Sequence, residues 1–332
     1  MKKEDLRIVF MGTPEFAVAT LDRLVCEGYN VVAVVTQPDK PVGRHGSVLQ
    51  PSAVKQYALD HQLPVLQPEK MKDEHFLAEL RSYQANLQIV VAFRMLPEVV
   101  WAMPLYGTFN VHAALLPQYR GAAPINWAII NGERQTGVTT FFLDHQIDTG
   151  RIIMQRTFDI PDDADAAYVY DGLMHLGAET AIATTERIIE ADGHPESMPQ
   201  SEMHVAEADL KPAPKIFKET CQTDWRQPAK AVHDFIRGLS PVPGAWTTLV
   251  TADGRQTVMK LYRSTTLAAE ADGHGLLIAC ADGWLQIDEV QLAGKKRMEA
   301  KAFVNGMKDL ALAKVQFESG EEIFCAKVCV KK

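Results

Sequence analysis

Asn110 and His112, two residues apart on one strand, are the first chemistry this sequence offers. In Thr108-Phe109-Asn110-Val111-His112, period-two alternation sends Phe109 and Val111 one way and the amide and imidazole the other. That spacing leaves them about 7 Å apart along the strand. These residue types supply hydrogen-bond donors and a proton carrier that works near neutral pH. An isolated Asn-x-His can equally serve to satisfy buried backbone groups. A carboxylate follows in Leu143-Asp144-His145-Gln146-Ile147-Asp148-Thr149-Gly150, after the β-rich run Gly137-Val138-Thr139-Thr140-Phe141-Phe142. Asp-Thr-Gly is also a serviceable tight turn, so position alone does not decide its purpose.

The elements around these residues read as α/β. The alternation breaks at Leu115-Leu116-Pro117, Arg120-Gly121 reads as a turn, and a helix begins near Pro124. A strand ending in paired polar side chains before a turn and a helix is where open α/β sheets hold ligands. Leu6 to Met11 reads as a buried strand, and Gly12-Thr13-Pro14-Glu15 as a helix start with Thr13 as N-cap and Pro14 at the first helical position. One glycine there is too few for a dinucleotide fingerprint. Strands at 29–36, 63–66 and 87–93 alternate with helices near 52–61 and 73–83, which argues for a doubly wound parallel sheet. In such a sheet Arg94-Met95-Leu96-Pro97 shares an edge with Asn110 and His112. The stretch 37–51 lacks either periodicity and reads as a long Pro- and Gly-rich loop.

A helical pattern over about 164–189 closes at Asp192-Gly193, and residues 194–215, with four prolines, read as a linker. A helix over 228–237 then precedes short strands near 246–251, 256–262, 275–279 and 284–290. Turn signals between them suggest a small barrel of the five-stranded oligonucleotide-binding type. The expected divisions are therefore 1–193, a linker at 194–215, and 216–332.

Composition excludes several classes. With 332 residues, 47% hydrophobic and 23% charged, the chain is an ordinary globular protein with room for two domains. Its N-terminus reads as neither a secretion signal nor a membrane span. Residues 1–205 hold 16 Lys+Arg against 26 Asp+Glu (net -10), and residues 206–332 hold 18 against 16 (net +2), giving the total of -8. That balance argues against DNA binding and against gripping nucleic acid along the whole length, so RNA contacts must be local. Cys26, Cys221, Cys280, Cys325 and Cys329 lack metal-ligand spacing, which implies thiols in a reducing cytoplasm and no metal.

Taken in order, Asn110-Val111-His112, Leu115-Leu116-Pro117, Tyr119-Arg120-Gly121-Ala122-Ala123-Pro124-Ile125 and Asp148-Thr149-Gly150 resemble the folate-dependent formyltransferases, and among them the branch acting on methionyl-tRNA. The resemblance covers nearly the whole chain, more specifically in its N-terminal half. It implies a Rossmann-like formyltransferase domain followed by an OB-like domain. It also implies transfer of a formyl group from 10-formyltetrahydrofolate to the α-amino group of initiator Met-tRNA, in the cytoplasm, by a monomer. Asn110, His112 and Asp148 match the catalytic positions. Phe93, Arg94, Met95, Leu96, Leu115, Leu116, Pro117, Asp144 and Ile147 match the folate site. Lys40 and Arg44 match the segment that reaches the acceptor stem, and Lys295, Lys296 and Arg297, the one basic cluster of the C-terminal half, are expected to add tRNA contacts from an OB-like tRNA-binding domain at 216–332.

Formyl transfer to an amine passes through a tetrahedral oxyanion, so the resemblance gives Asn110 and His112 the role of donors and Asp148 that of orienting His112 or a water. No covalent enzyme intermediate and no metal are required, and chelation is expected to change nothing. Departures from the family pattern are Ala114 for Ser, Gln118 for Arg or Lys, Phe93-Arg94 for Tyr-Gly, and His-Gly-Ser after Arg44. Competing expectations are a sugar-nucleotide N-formyltransferase and a non-catalytic RNA-binding protein. The charge split further suggests that a fragment ending near Asp192 would bind folate but use Met-tRNA poorly.

Overall fold

Ile8-Val9-Phe10-Met11 is apolar at every position, so the strand it forms must be covered on both faces, and all four side chains are fully buried. In the computed structural model, which describes residues 1–42, 48–251, 254–267, 275–306, 314–316 and 322–329, this run is strand β1 (Arg7–Gly12). Helix α1 (Glu15–Cys26) leads to β2 (Asn30–Val35), a small hairpin β3 (Lys40–Val42) and β4 (Val48–Gln50), then α2 (Ala53–Asp60) and β5 (Val65–Leu66). After α3 (Glu74–Ser82) come β6 (Leu87–Val91), α4 (Glu98–Trp101), β7 (Thr108–His112) and α5 (Pro124–Ile130). The antiparallel pair β8 (Gln135–Phe142) and β9 (Ile152–Asp159) precedes the long helix α6 (Ala166–Glu190).

Seven of these strands form one sheet in the order β5-β2-β1-β6-β7-β8-β9. The first five run parallel, and β8 and β9 are antiparallel additions at one side. The strand order reverses between β1 and its two neighbours, β2 and β6, which opens a crevice at the carboxyl ends of β1 and β6. On one face, Val9, Met11, Val35 and Val90 pack with Phe76, Leu77 and Leu80 of α3.

The chain divides into two compact units, Met1–Gly121 with Gln135–Asp159 and Tyr170–Pro212, and Ala122–Arg134 with Ile160–Val169 and Ala213–Lys332. The second unit contains α7 (Ala229–Leu239), β10 (Ala245–Val250), β11 (Gln256–Thr266), β12 (Gly275–Cys280), β13 (Gly283–Leu292), β14 (Met298–Glu299), α8 (Ala300–Gly306), β15 (Lys314–Gln316) and β16 (Glu322–Cys329). Every strand pairing there is antiparallel. Pairing of β11 with β13 closes the order β11-β10-β15-β16-β12-β13 into a ring, so a barrel expected with five strands closes through six. Closure removes the unpaired edges that invite association. Trp225, Ile236, Leu261, Ile287 and Phe303 fill its core, and α5 belongs to this unit through Ile130 packed on that cluster.

Two local expectations need correction. Thr13 does not cap α1: Pro14 is the N-cap residue, Thr13 Oγ1 is buried without a partner, and the Phe16 N–H is satisfied instead by the Tyr170 hydroxyl at 2.9 Å. The stretch 37–51 is not loop throughout, because β3 and β4 pair with Lys40 opposite Gln50 and Val42 opposite Val48. Both short strands are exposed at every position, so neither face is selected for apolar residues and no alternation marks them. Among the described cysteines, Cys26 is exposed while Cys221 and Cys280 are buried free thiols, with Cys280 pushed up to about 12 by burial. Among the described residues no helix is long and apolar enough to cross a membrane.

Candidate active site

β7 delivers the central pair. Its first two and last two residues are buried, and Asn110 between them is half-buried. The Asn110 amide makes no hydrogen bond among the described residues, which leaves its two donors and its acceptor available at the sheet edge. His112, 6% exposed, is held at one nitrogen: Nε2 lies 2.9 Å from the Tyr119 carbonyl oxygen. A carbonyl only accepts, so Nε2 carries the proton and the neutral ring keeps its lone pair on Nδ1. Nδ1 faces the Asp148 carboxylate, with Oδ2 at 3.9 Å.

Asp148 reaches that position through a distorted turn. Its backbone has φ +56°, a left-handed conformation uncommon for non-glycine residues, though Asp adopts it more readily than most. Asp148 Oδ2 accepts the Gly121 N–H at 2.9 Å, tying the carboxylate to the turn after β7. Asp144 shapes the same loop: Oδ1 accepts from the Gln146 N–H at 3.0 Å and from the Thr149 hydroxyl at 2.8 Å. Gly150 ends it against the sheet, where a Cβ would lie 1.7 Å from the Phe142 carbonyl oxygen.

The segment 113–121 is anchored from β8 and β9. Thr139, opposite His112 in register, donates its hydroxyl to the Ala114 carbonyl (2.6 Å) and accepts from the Leu116 N–H (3.1 Å) and Gln155 Nε2 (2.9 Å). One donor and two acceptor sites are thereby all used. Gln155 also donates to the Leu116 carbonyl at 2.8 Å.

The residues matched to a folate site divide into two groups. Leu96, Leu116 and Pro117 are buried, and Leu116 packs with Phe141 and Ile152. Phe93 is partly buried against the sheet core, Leu115 is half-buried, and Arg94 donates to the carbonyls of Pro68 and Glu69. Met95 and Ile147, by contrast, are 75% and 61% exposed, and Asp144 is exposed beside them in sequence. Large exposed apolar side chains on the loops following β6 and β8 offer a flat ring system surface to cover.

The expected basic contacts scatter. Lys40 is exposed on the β3–β4 hairpin, and Arg44 lies outside the described residues. Lys295 and Lys296 are exposed, but Arg297 is engaged: it donates to both Glu289 carboxylate oxygens and stacks over Tyr262 at 4.2 Å from the ring centre. The Glu289 pair raises the Arg297 pKa above its ordinary value, so this guanidinium is tied into the barrel surface. No group of three or more His, Cys, Asp or Glu that could hold a metal is present among the described residues.

Sequence reading missed Gln200. Its side chain, in a residue 6% exposed, donates from Nε2 to the Asp148 and Gly150 carbonyls, each at 2.9 Å. Its Oε1 accepts from Arg120 Nε at 3.1 Å and Nη2 at 2.6 Å. Gln200 lies in the stretch whose prolines read as a linker, and nothing in a lone Gln signals such a position.

Comparison with known proteins adds the family. Residues 6–185 match the family model described as Formyl transferase, and residues 215–308 that described as Formyl transferase, C-terminal domain. A protein of Parabacteroides distasonis named methionyl-tRNA formyltransferase is 58% identical, over 94% of this chain and 98% of its own length. One of Bacteroides fragilis with the same name is 57% identical, over 92% and 96%. Among solved structures, a sugar 3N-formyl transferase in the presence of dTDP and 5-N-formyl-THF aligns with a TM-score of 0.61 at 20% identity, covering 88% of this chain and 99% of that one. HypX from Aquifex aeolicus in complex with tetrahydrofolic acid aligns at 0.56 and 20% identity, covering 90% and 46%. At these identities the structures establish a shared fold.

Proposed function

This chain belongs to the formyl transferase family, among the methionyl-tRNA formyltransferases, and from that premise we propose that it transfers a formyl group from 10-formyltetrahydrofolate to the α-amino group of initiator Met-tRNA. The observation that carries the reading is the His112–Asp148 pair at 3.9 Å beside the unengaged Asn110 amide on one strand edge.

In this reading the pteridine of the folate lies on the loops after β6 and β8, against Met95 and Ile147. The substrate amine attacks the formyl carbon, forming a new C–N bond, and the carbonyl oxygen becomes an oxyanion. Asn110 Nδ2 donates to that oxygen. His112, expected from the resemblance as a second oxyanion donor, takes a different part in this reading: its Nδ1 accepts the proton released by the attacking nitrogen, because Nε2 is committed to the Tyr119 carbonyl. Asp148 offsets the imidazolium charge that results. Collapse of the intermediate breaks the bond between formyl carbon and N10, and the proton passes from His112 to the departing nitrogen. The balance closes without a covalent enzyme adduct.

Three acceptors test the reading, each supplied with 10-formyltetrahydrofolate: initiator Met-tRNA, elongator Met-tRNA and an amino-sugar nucleotide. Preferential formylation of initiator Met-tRNA is expected. Formylation of the amino sugar with Met-tRNA untouched would move the chain to the sugar branch, and no transfer to any acceptor would leave a binding protein.

The β3–β4 hairpin supplies the second test. It projects exposed Val42, Val48 and Leu49 together with Lys40, and its connecting residues include Arg44. We assign these cations to the acceptor end of the tRNA, where a guanidinium can fork onto phosphate or stack on an unpaired base. Arg44→Ala is expected to lower kcat/KM for Met-tRNA at least about tenfold, the scale of one charge-assisted contact, with folate binding unchanged. Arg44→Lys should recover part of the loss. Normal kcat/KM in Arg44→Ala would remove the assignment.

A further inference from the structure

Three chain segments meet at Asp148, two at its carboxylate and one at its backbone carbonyl, and only the first two carry the sequence signature of the site. The third is Gln200, 52 residues beyond Asp148. We infer that Gln200 is a positioning residue for catalysis, holding Asp148 at its distance from His112; the inference rests on the proposed role of Asp148.

The geometry leaves Gln200 little other purpose. An amide has two donors and one carbonyl, and here all are engaged by groups of the active-site loops. The two carbonyls it binds, of Asp148 and Gly150, bracket the turn in which Asp148 takes φ +56°. The left-handed region is sparsely populated by non-glycine residues, and here the turn has a fixed partner at the carbonyl on each side of its Thr149. Arg120, which orients the Gln200 carbonyl, sits next to Gly121, whose N–H binds the Asp148 carboxylate. Gln200 thus joins the backbone of the Asp148 turn to the loop that receives its side chain.

A second set of contacts from the same stretch reaches the His112 side. The Lys211 carbonyl accepts the Tyr119 N–H at 2.7 Å, Lys211 N–H donates to Gln118 Oε1 at 2.8 Å, and Gln118 Nε2 donates to the Asp209 carbonyl at 3.0 Å. Tyr119 is the residue whose carbonyl fixes the His112 proton. Residues 200–211 therefore brace both partners of the His112–Asp148 pair. A fragment ending near Asp192 loses this brace, so its weak formylation would not isolate a tRNA-binding role for the remainder of the chain.

Gln200→Leu removes both donors and the acceptor at similar size. Gln200→Glu keeps the shape and the Arg120 pair but sets a carboxylate against two carbonyls. Each is compared with Asp148→Asn and with the double variants, in the full chain. The readouts are kcat and KM for 10-formyltetrahydrofolate and initiator Met-tRNA, binding of 5-formyltetrahydrofolate, and thermal melting.

Gln200→Leu is expected to lower kcat by about tenfold to a hundredfold, the scale of a catalytic group displaced by an ångström, with both KM values and folate binding close to the parent. On the Asp148→Asn background the same substitution should cost less than about threefold, since residues acting through one another do not add. If Gln200→Leu does not fold, Gln200→Glu reports the same comparison. A folded Gln200 variant with parental kcat overturns the inference, and so does a full multiplicative loss in the double variant. Parental turnover in Asp148→Asn alone would instead remove the catalytic reading of Asp148.

Discussion

His112→Ala, Asn110→Ala and Asp148→Asn are each expected to yield a folded protein whose kcat falls by about two decades, equivalent to roughly 3 kcal/mol of transition-state stabilisation. The expectation follows from what each group has left to offer once its structural bonds are counted. Asn110 makes no hydrogen bond among the described residues, so its removal leaves no orphaned partner and its loss falls on the reaction. His112 has a structural bond at Nε2 and an unshared electron pair at Nδ1; alanine deletes both, and the Tyr119 carbonyl loses one contact at a cost of about 1 kcal/mol to stability. Asp148→Asn keeps an acceptor for the Gly121 N–H but removes the charge facing Nδ1. Steady-state kinetics with circular dichroism on each variant checks the set. Turnover near the parent value in folded Asn110→Ala or His112→Ala would remove the proposed roles. Because the three act on one transition state, double variants should lose much less than the product of the single losses.

Gly150→Ala is expected to be more damaging to folding than any of these. The added Cβ would sit 1.7 Å from the Phe142 carbonyl oxygen and 2.9 Å from its carbon, both backbone atoms of the neighbouring strand. No side chain can swing away to relieve that overlap, so β8 or the 148–150 turn must shift. Ordinary overpacking costs about 1–3 kcal/mol, and a backbone collision belongs at or above the top of that range. A melting temperature lower by roughly 10 °C is expected, with activity lost in the fraction that remains folded. Thr149→Ala provides the control: it removes one hydrogen bond to Asp144 and should cost only about 1 kcal/mol. A Gly150→Ala protein melting with the parent would mean that the turn yields more easily than its packing implies.

What the sequence disclosed followed from the range of the forces involved. The Asn110–His112 face was legible because strand alternation is a local rule, and β7 obeys it under burial from both sides. The apolar runs of β1 and β6 likewise announced a covered parallel sheet. Asp148 was placed by resemblance, whereas its approach to His112 depends on a left-handed turn and on Gly121, neither of which has a local signal. Thr13 has the residue type of a helix cap and is not one, because the acceptor that takes the Phe16 N–H is the Tyr170 hydroxyl, 154 residues away. The β3–β4 hairpin escaped notice for the opposite reason: with both faces exposed, nothing selects an alternating pattern. Arg297 read as a free cation until Glu289, on an adjacent stretch of barrel, claimed it.

The membership of α5 in the second unit also sets an order of events at the ribosome. Asn126 Nδ2 donates to the Gly238 carbonyl at 2.8 Å across 112 residues, and at Gly238 α7 packs on α5 with no space for a Cβ against Ile130. At synthesis rates of about 5–20 residues per second, α5 must wait roughly 5–20 s for the helix it packs against. During that interval Ile130 and the rest of its inward face have no partner. The nascent chain therefore carries an unfinished apolar surface through the making of the following hundred or so residues.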